Sequence, residues 1–114
     1  MRALLLPEAR LIPVSKKNGV VEPHVLSVDD WITRVKARGN SVFYEKQIFW
    51  KSEVYGQIAH LFSTYEIRDT PDGKAEVRGI NSIQAVNDGH AWRVMEIVWQ
   101  AETADAPIPK QYLP

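Results

Sequence analysis

The chain has 114 residues, with 14 Lys and Arg against 14 Asp and Glu, no cysteine, and a pI near 6.8. A balanced charge takes weight from nucleic-acid binding, which draws on a basic excess or stripe. The lack of cysteine excludes a disulfide framework, a thiolate metal site and a cysteine nucleophile, and no apolar run approaches the ~20 residues that span a bilayer.

The length suits one domain, residues 1–114, with a core of its own. Hydrophobic residues at 45% and charged residues at 25% are ordinary for a soluble protein, and a cytoplasmic setting is expected. Met1–Leu6 opens like a signal sequence, but its apolar segment stops at Pro7-Glu8, short of the ~7–15 residues of a secretory core. Met1–Leu6 is a run of good helix formers with no capping residue, and it reads as the last turns of a helix ended by Pro7.

Ala9–Val14 predicts a short strand, with Pro13 arguing for an edge. Ser15–Gly19 is a polar turn and Val20–Val25 a return strand. Ser27–Gly39 is the clearest helix. Ser27 is its N-cap, Asp29 and Asp30 suit the positive end of its dipole, and Asp30 stands where a capping box carries Glu. Val28, Trp31, Ile32 and Val35 fall at i, i+3, i+4 and i+7, one apolar face. Arg34, Lys36 and Arg38 crowd the last turns, where a solvated helix end is expected ahead of an anion site, and Gly39 fits C′.

Ser41–Tyr55 is rich in β-branched and aromatic residues, with a bulge or edge expected at Lys51-Ser52-Glu53 and a reversal at Gly56. Gln57–Arg68, Ala75–Asp88 and Ala91–Gln100 then form an antiparallel meander, joined through Thr70-Pro71-Asp72-Gly73 and Asn87-Asp88-Gly89-His90. The tail from Glu102 carries Pro107, Pro109 and Pro114, and it predicts an extended strap that docks Ile108, Tyr112 and Leu113 on the body.

One helix on a bent sheet of about four long antiparallel strands, plus a small edge hairpin, is an α+β layout. Ile80, Val86, Val94 and Val98 share one parity, and Val77, Ile83, Met95, Ile97 and Trp99 the other. A sheet that is apolar on both faces needs two covers, which we assign to the helix side and to a second subunit.

Chemistry-bearing residues are sparse. His60 and Glu66 share a parity on the first meander strand, as a general base and an acid partner would. A hydrogen-bonded histidine beside a rim carboxylate explains the same pattern. Tyr65 and Ser63, on the opposite parity, are expected to pack an interface. Asn81, between Ile80 and Ile83, needs partners if buried. His24, His60 and His90 show no metal-ligand spacing, so no metal and no cofactor is implied.

Ile58–Glu66, Arg78–Gln84, Trp92-Arg93-Val94 and Ile97–Gln100 together resemble a nuclear transport factor 2-like (SnoaL-like) domain, and Pro7–Ile12 resembles that family's short first strand. The resemblance covers nearly the whole chain. It implies a cone-shaped, strongly curved antiparallel sheet (cystatin-like in class) packed on helix, with an interior pocket and a homodimer through the outer sheet face. Members usually carry one or two longer helices before that strand. Only Met1–Leu6 stands there, so the N-terminal helices read as truncated and the pocket mouth as poorly closed. The acid/base residues of the steroid isomerase and polyketide cyclase branches find no match. The resulting expectation is a small-ligand-binding domain with an apolar pocket on the concave sheet face, lined by His60, Glu66, Asn81 and Trp99. The alternatives are an isomerase, dehydratase or cyclase with His60 as base, and a non-catalytic dimerisation scaffold. Parity places all four residues on one surface only if strand register intervenes.

Overall fold

The computed structural model describes residues 4–39 and 43–114. In chain order they form β1 (Leu5–Lys17), β2 (Val20–Pro23), β3 (Leu26–Ser27), α1 (Val28–Ala37), β4 (Tyr44–Tyr55), β5 (Ile58–Arg68), β6 (Val77–Asn87) and β7 (Trp92–Ala101). A one-turn 3-10 helix, Lys110–Tyr112, lies in the tail. Seven strands make one curled, unclosed sheet in the order β2-β1-β7-β6-β5-β4, with β3 also paired to β1. The fold is α+β, one helix on one long sheet.

The meander β5-β6-β7 is antiparallel throughout, as expected. The first strand departs from expectation. It is 13 residues long, it includes Leu5 and Leu6 rather than ending a helix there, and it joins β7 in parallel. The remainder of the expected helix end, Met1–Ala3, lies outside the described residues, as do the first two residues of the Ser41–Tyr55 stretch. Both prolines of β1 are accommodated by irregularity. Pro7 falls where β1 advances five positions, from Leu5 to Arg10, while β7 advances only two, from Val94 to Glu96. Pro13 falls between the residues paired to β3 and those paired to β2. A missing N–H costs little in either place.

Turn chemistry sets the hairpins. Asn18 and Gly19 both have positive φ, 52° and 79°, the two-residue turn whose twist suits a β1–β2 hairpin. Gly56, at φ 53°, reverses β4 into β5. Asp88 accepts backbone N–H bonds from His90 and Ala91, which hold the β6–β7 turn and keep its carboxyl below the usual range.

Helix α1 has the full capping box. Ser27 Oγ accepts from the Asp30 amide and Asp30 accepts from the Ser27 amide, each at 3.1 Å. The Ser27 backbone N–H is the main reason that the Asp30 carboxyl titrates low. The apolar helix face meets the sheet through Val28 and Ile32, which pack with Leu5, Ala9 and Val94. Trp31 meets Trp99 edge-on, with centroids 5.3 Å apart and planes at 80°.

Val94 was expected on the face of Val98, but a bulge reverses it. Gln84 pairs with Glu96, whereas Ala85 pairs with Val94, so Met95 is the extra residue. The bulge carries Val94 to the helix face and into the core. In the tail Ile108 is buried, and Tyr112 stacks on Phe62 at 5.3 Å, so the strap docks on the sheet face away from α1. Among the described residues no helix is long and apolar enough to cross a membrane.

Candidate functional site

Cross-strand register decides which face each side chain occupies, because directly paired residues project to the same side. One row runs Leu11, Ile97, Ile83, Leu61, the next Trp99, Asn81, Ser63, and a third pairs Gly79 with Tyr65. Trp99 touches Trp31, so these rows form the helix face. On the outer face, Glu53, His60 and Gln84 form one row, and Lys46, Glu66 and Arg78 another.

The expected site residues therefore separate. Asn81 and Trp99 are direct cross-strand partners on the helix face. His60 and Glu66 lie on the outer face, because the β5–β6 pairing holds an unbroken register from Ile58 to Ile67. His60 and Glu66 are also six positions apart on one extended strand, about 20 Å at ~3.3 Å per residue, too far to act as an acid/base pair.

The helix face carries a pocket of about 560 Å³, roofed by α1 and the start of β1. Its walls are largely aliphatic and aromatic, with Leu11, Trp31, Ile97 and Trp99 among them. Asn81 and Tyr65 supply neutral polar groups on the sheet side, and Arg38 and Glu45 supply charges. Tyr65 is only 4% exposed. Burial, aided by the nearby Glu45 charge, pushes its phenol above the ordinary value of 10.0, so at neutral pH the hydroxyl is a proton donor. Its position depends on Gly79, its cross-strand partner. A Cβ there would stand 2.5 Å from Tyr65 Cζ and 2.5 Å from the Gln100 carbonyl oxygen, so only glycine lets the phenol lie flat across β6. Arg38 caps the C-terminus of α1 and lays its guanidinium over Trp31 and Phe43, with Cζ 5.6 and 5.0 Å from the ring centroids.

Of these residues, sequence reasoning assigned Tyr65 to an interface, Arg38 to a solvated helix end and Trp31 to the apolar stripe of the helix, and it gave Glu45 no role. The usable signal was the register of Tyr65 on a glycine near the start of β6, which the β5–β6 turn fixes only once both strands are placed.

The outer face has its own polar cleft of about 290 Å³, bounded by Lys51, Glu53, His60, Ser82, Gln84 and Tyr112. His60 Nε2 lies 2.9 Å from Glu53 Oε1, with the two side chains 61% and 76% exposed. Glu66 is buried and pairs with Arg68 at 2.6 Å. Arg78 turns to Glu102 at 2.9 Å. No group of three potential ligands among the described residues could hold a metal ion.

No family model matches the sequence, and no curated protein does. Solved structures do match the backbone. An NTF2-like protein of unknown function from Silicibacter pomeroyi superposes with a TM-score of 0.60 at 16% identity, over 89% of this chain and 76% of that one. One from Methylobacillus flagellatus gives 0.59 at 10% identity, over 90% and 74%. One from Shewanella baltica gives 0.58 at 13%, over 91% and 77%. The long sheet wrapped about a helix-side pocket is thus the nuclear transport factor 2-like fold.

Proposed function

We propose that the helix-face pocket binds a small, largely apolar molecule through aromatic walls and a few polar groups. The observation that carries this reading is the pocket itself, about 560 Å³ of space between α1 and the sheet, within the size range of small-molecule sites. Asn81 and Trp99 stand in that site, joined by Tyr65, Trp31, Arg38 and Glu45. The test is a fragment screen followed by the four tryptophan indole N–H signals. Ligands in this pocket shift Trp31 and Trp99 and leave Trp50 and Trp92 in place. Binding that moves only Trp50 or Trp92, or no binding at millimolar concentration, would falsify the reading.

A second reading keeps acid/base chemistry of the isomerase, dehydratase or cyclase type. Its support is the His60–Glu53 contact at 2.9 Å in the outer cleft, and on this reading the base works there rather than in the helix-face pocket. The scaffold reading is compatible with either. Tyr55, Ile58 and Phe62 are 83%, 58% and 39% exposed in a row on the outer face, beside Lys51 and Glu53, charges of both signs that a two-fold axis can oppose. A homodimer through that face is our proposal for its cover, and light scattering before and after Ile58→Lys tests it.

A further inference from the structure

Resting on the pocket reading above, we infer that the ligand is a small organic carboxylate with a planar apolar body, and that Arg38 holds its carboxylate. Arg38 differs from four other arginines of the fold, and unlike Arg34, equally unpaired among the described residues, it lines the pocket. Arg68, Arg78 and Arg93 each pair with a carboxylate, and Arg10 donates to backbone carbonyls. Arg38 instead lies over the rings of Trp31 and Phe43, and its guanidinium makes no hydrogen bond or ion pair to a described residue.

The cation–π contact matters because it consumes none of the guanidinium N–H donors and leaves that fork available. That fork matches the two oxygens of a carboxylate, and the flanking rings restrict the side chain so that less rotamer freedom is lost on binding. The negative end of the α1 dipole also faces this site, at roughly half a charge. Arg34 and Lys36 in the same last turn offset it. Behind Arg38 the pocket offers apolar side chains and the crossed indoles of Trp31 and Trp99, which suit a flat body. Glu45 opposes the anion. Glu45 and Arg38 are both exposed side chains, so water and salt screen the repulsion and the attraction alike, and Glu45 sets a limit on affinity rather than a bar.

The experiment is calorimetric titration with 2-naphthoate and its neutral analogue 2-naphthamide at pH 7. In the wild type the carboxylate binds up to about fivefold tighter than the amide, the scale of one exposed ion pair. Arg38→Met brings the ratio to within twofold, whereas Arg38→Lys restores part of it. Glu45→Gln widens the ratio. Equal affinity for the two probes in the wild type overturns the inference and leaves the pocket reading intact, and so does a preference that survives Arg38→Met. Failure of both probes to bind overturns the inference and the pocket reading together.

Discussion

Tyr65 lies across Gly79, with its buried phenol occupying the space where any other residue would place a Cβ. One wall of the pocket is thereby tied to a single missing methyl group. Gly79→Ala must displace both the phenol and the Gln100 carbonyl of β7, and the backbone group cannot move without straining the ladder. We expect a loss of about 2 kcal/mol, the scale of overpacking in a tight core. Chemical denaturation measures it. Tyr65→Leu in the same background should recover part of the loss, because it removes the phenol that the methyl group meets.

The phenol also makes stability depend on alkaline pH. Its folded-state value is raised above 10.0 by burial first and Glu45 second. A raised value means that the unfolded chain releases the proton first. The stabilisation is therefore complete below pH 10 and is lost as pH rises from there through the folded-state value. Absorbance titration at 295 nm should carry a late component that Tyr65→Phe deletes. Glu45→Gln should move that component earlier. A late component that persists in Tyr65→Phe would assign it to another tyrosine.

Much of this architecture was legible because its signals are local. Ser27 and Asp30 mark the start of α1, Asn18-Gly19 and Gly56 mark two reversals, and the prolines of the tail mark the strap. The hidden parts depend on pairing between distant strands. The parallel partnership of β1 with β7 leaves no local trace, and Pro7 reads as a helix stop and Pro13 as an edge marker until the register shift and the pairing gap are seen. Val94 sits by alternation with Val98, but one bulged residue, Met95, moves it to the core. The site suffered most from this. Shared parity drew His60 and Glu66 together, and the pocket instead belongs to the opposite parity, where Tyr65, Asn81 and Trp99 stand.

That division separates the two functional readings experimentally. Trp99→Ala removes the ring that meets Trp31 and should weaken any helix-face ligand at least tenfold, with a stability cost of about 3 kcal/mol for a large aromatic truncation. His60→Ala removes an exposed side chain on the other face and should leave that affinity within twofold and stability within about 0.5 kcal/mol. If His60→Ala abolishes turnover of a substrate whose turnover survives Trp99→Ala, the outer cleft is the reacting centre.

The strap offers a pH-dependent test on the acid side. Glu102 accepts the Ile108 backbone N–H at 2.8 Å and the Arg78 guanidinium at 3.0 and 3.3 Å, so one carboxylate fastens the tail to β6. Farther along, the buried Thr64 hydroxyl donates to the Tyr112 carbonyl at 2.7 Å. The Ile108 bond first, and Arg78 after it, lower the Glu102 carboxyl below its ordinary value of 4.5. A lowered value contributes stability that is present above pH 4.5 and is lost as pH falls through the folded-state value. The Ile108 amide resonance should therefore titrate in acid with the Glu102 carboxyl, and its hydrogen exchange should accelerate over the same range. Glu102→Gln should remove both responses and loosen residues 106–113 at neutral pH, while Thr64→Val should loosen Tyr112 without altering the acid profile. An Ile108 amide that ignores Glu102→Gln would mean that Ile108 burial and the Tyr112–Phe62 contact hold the strap on their own.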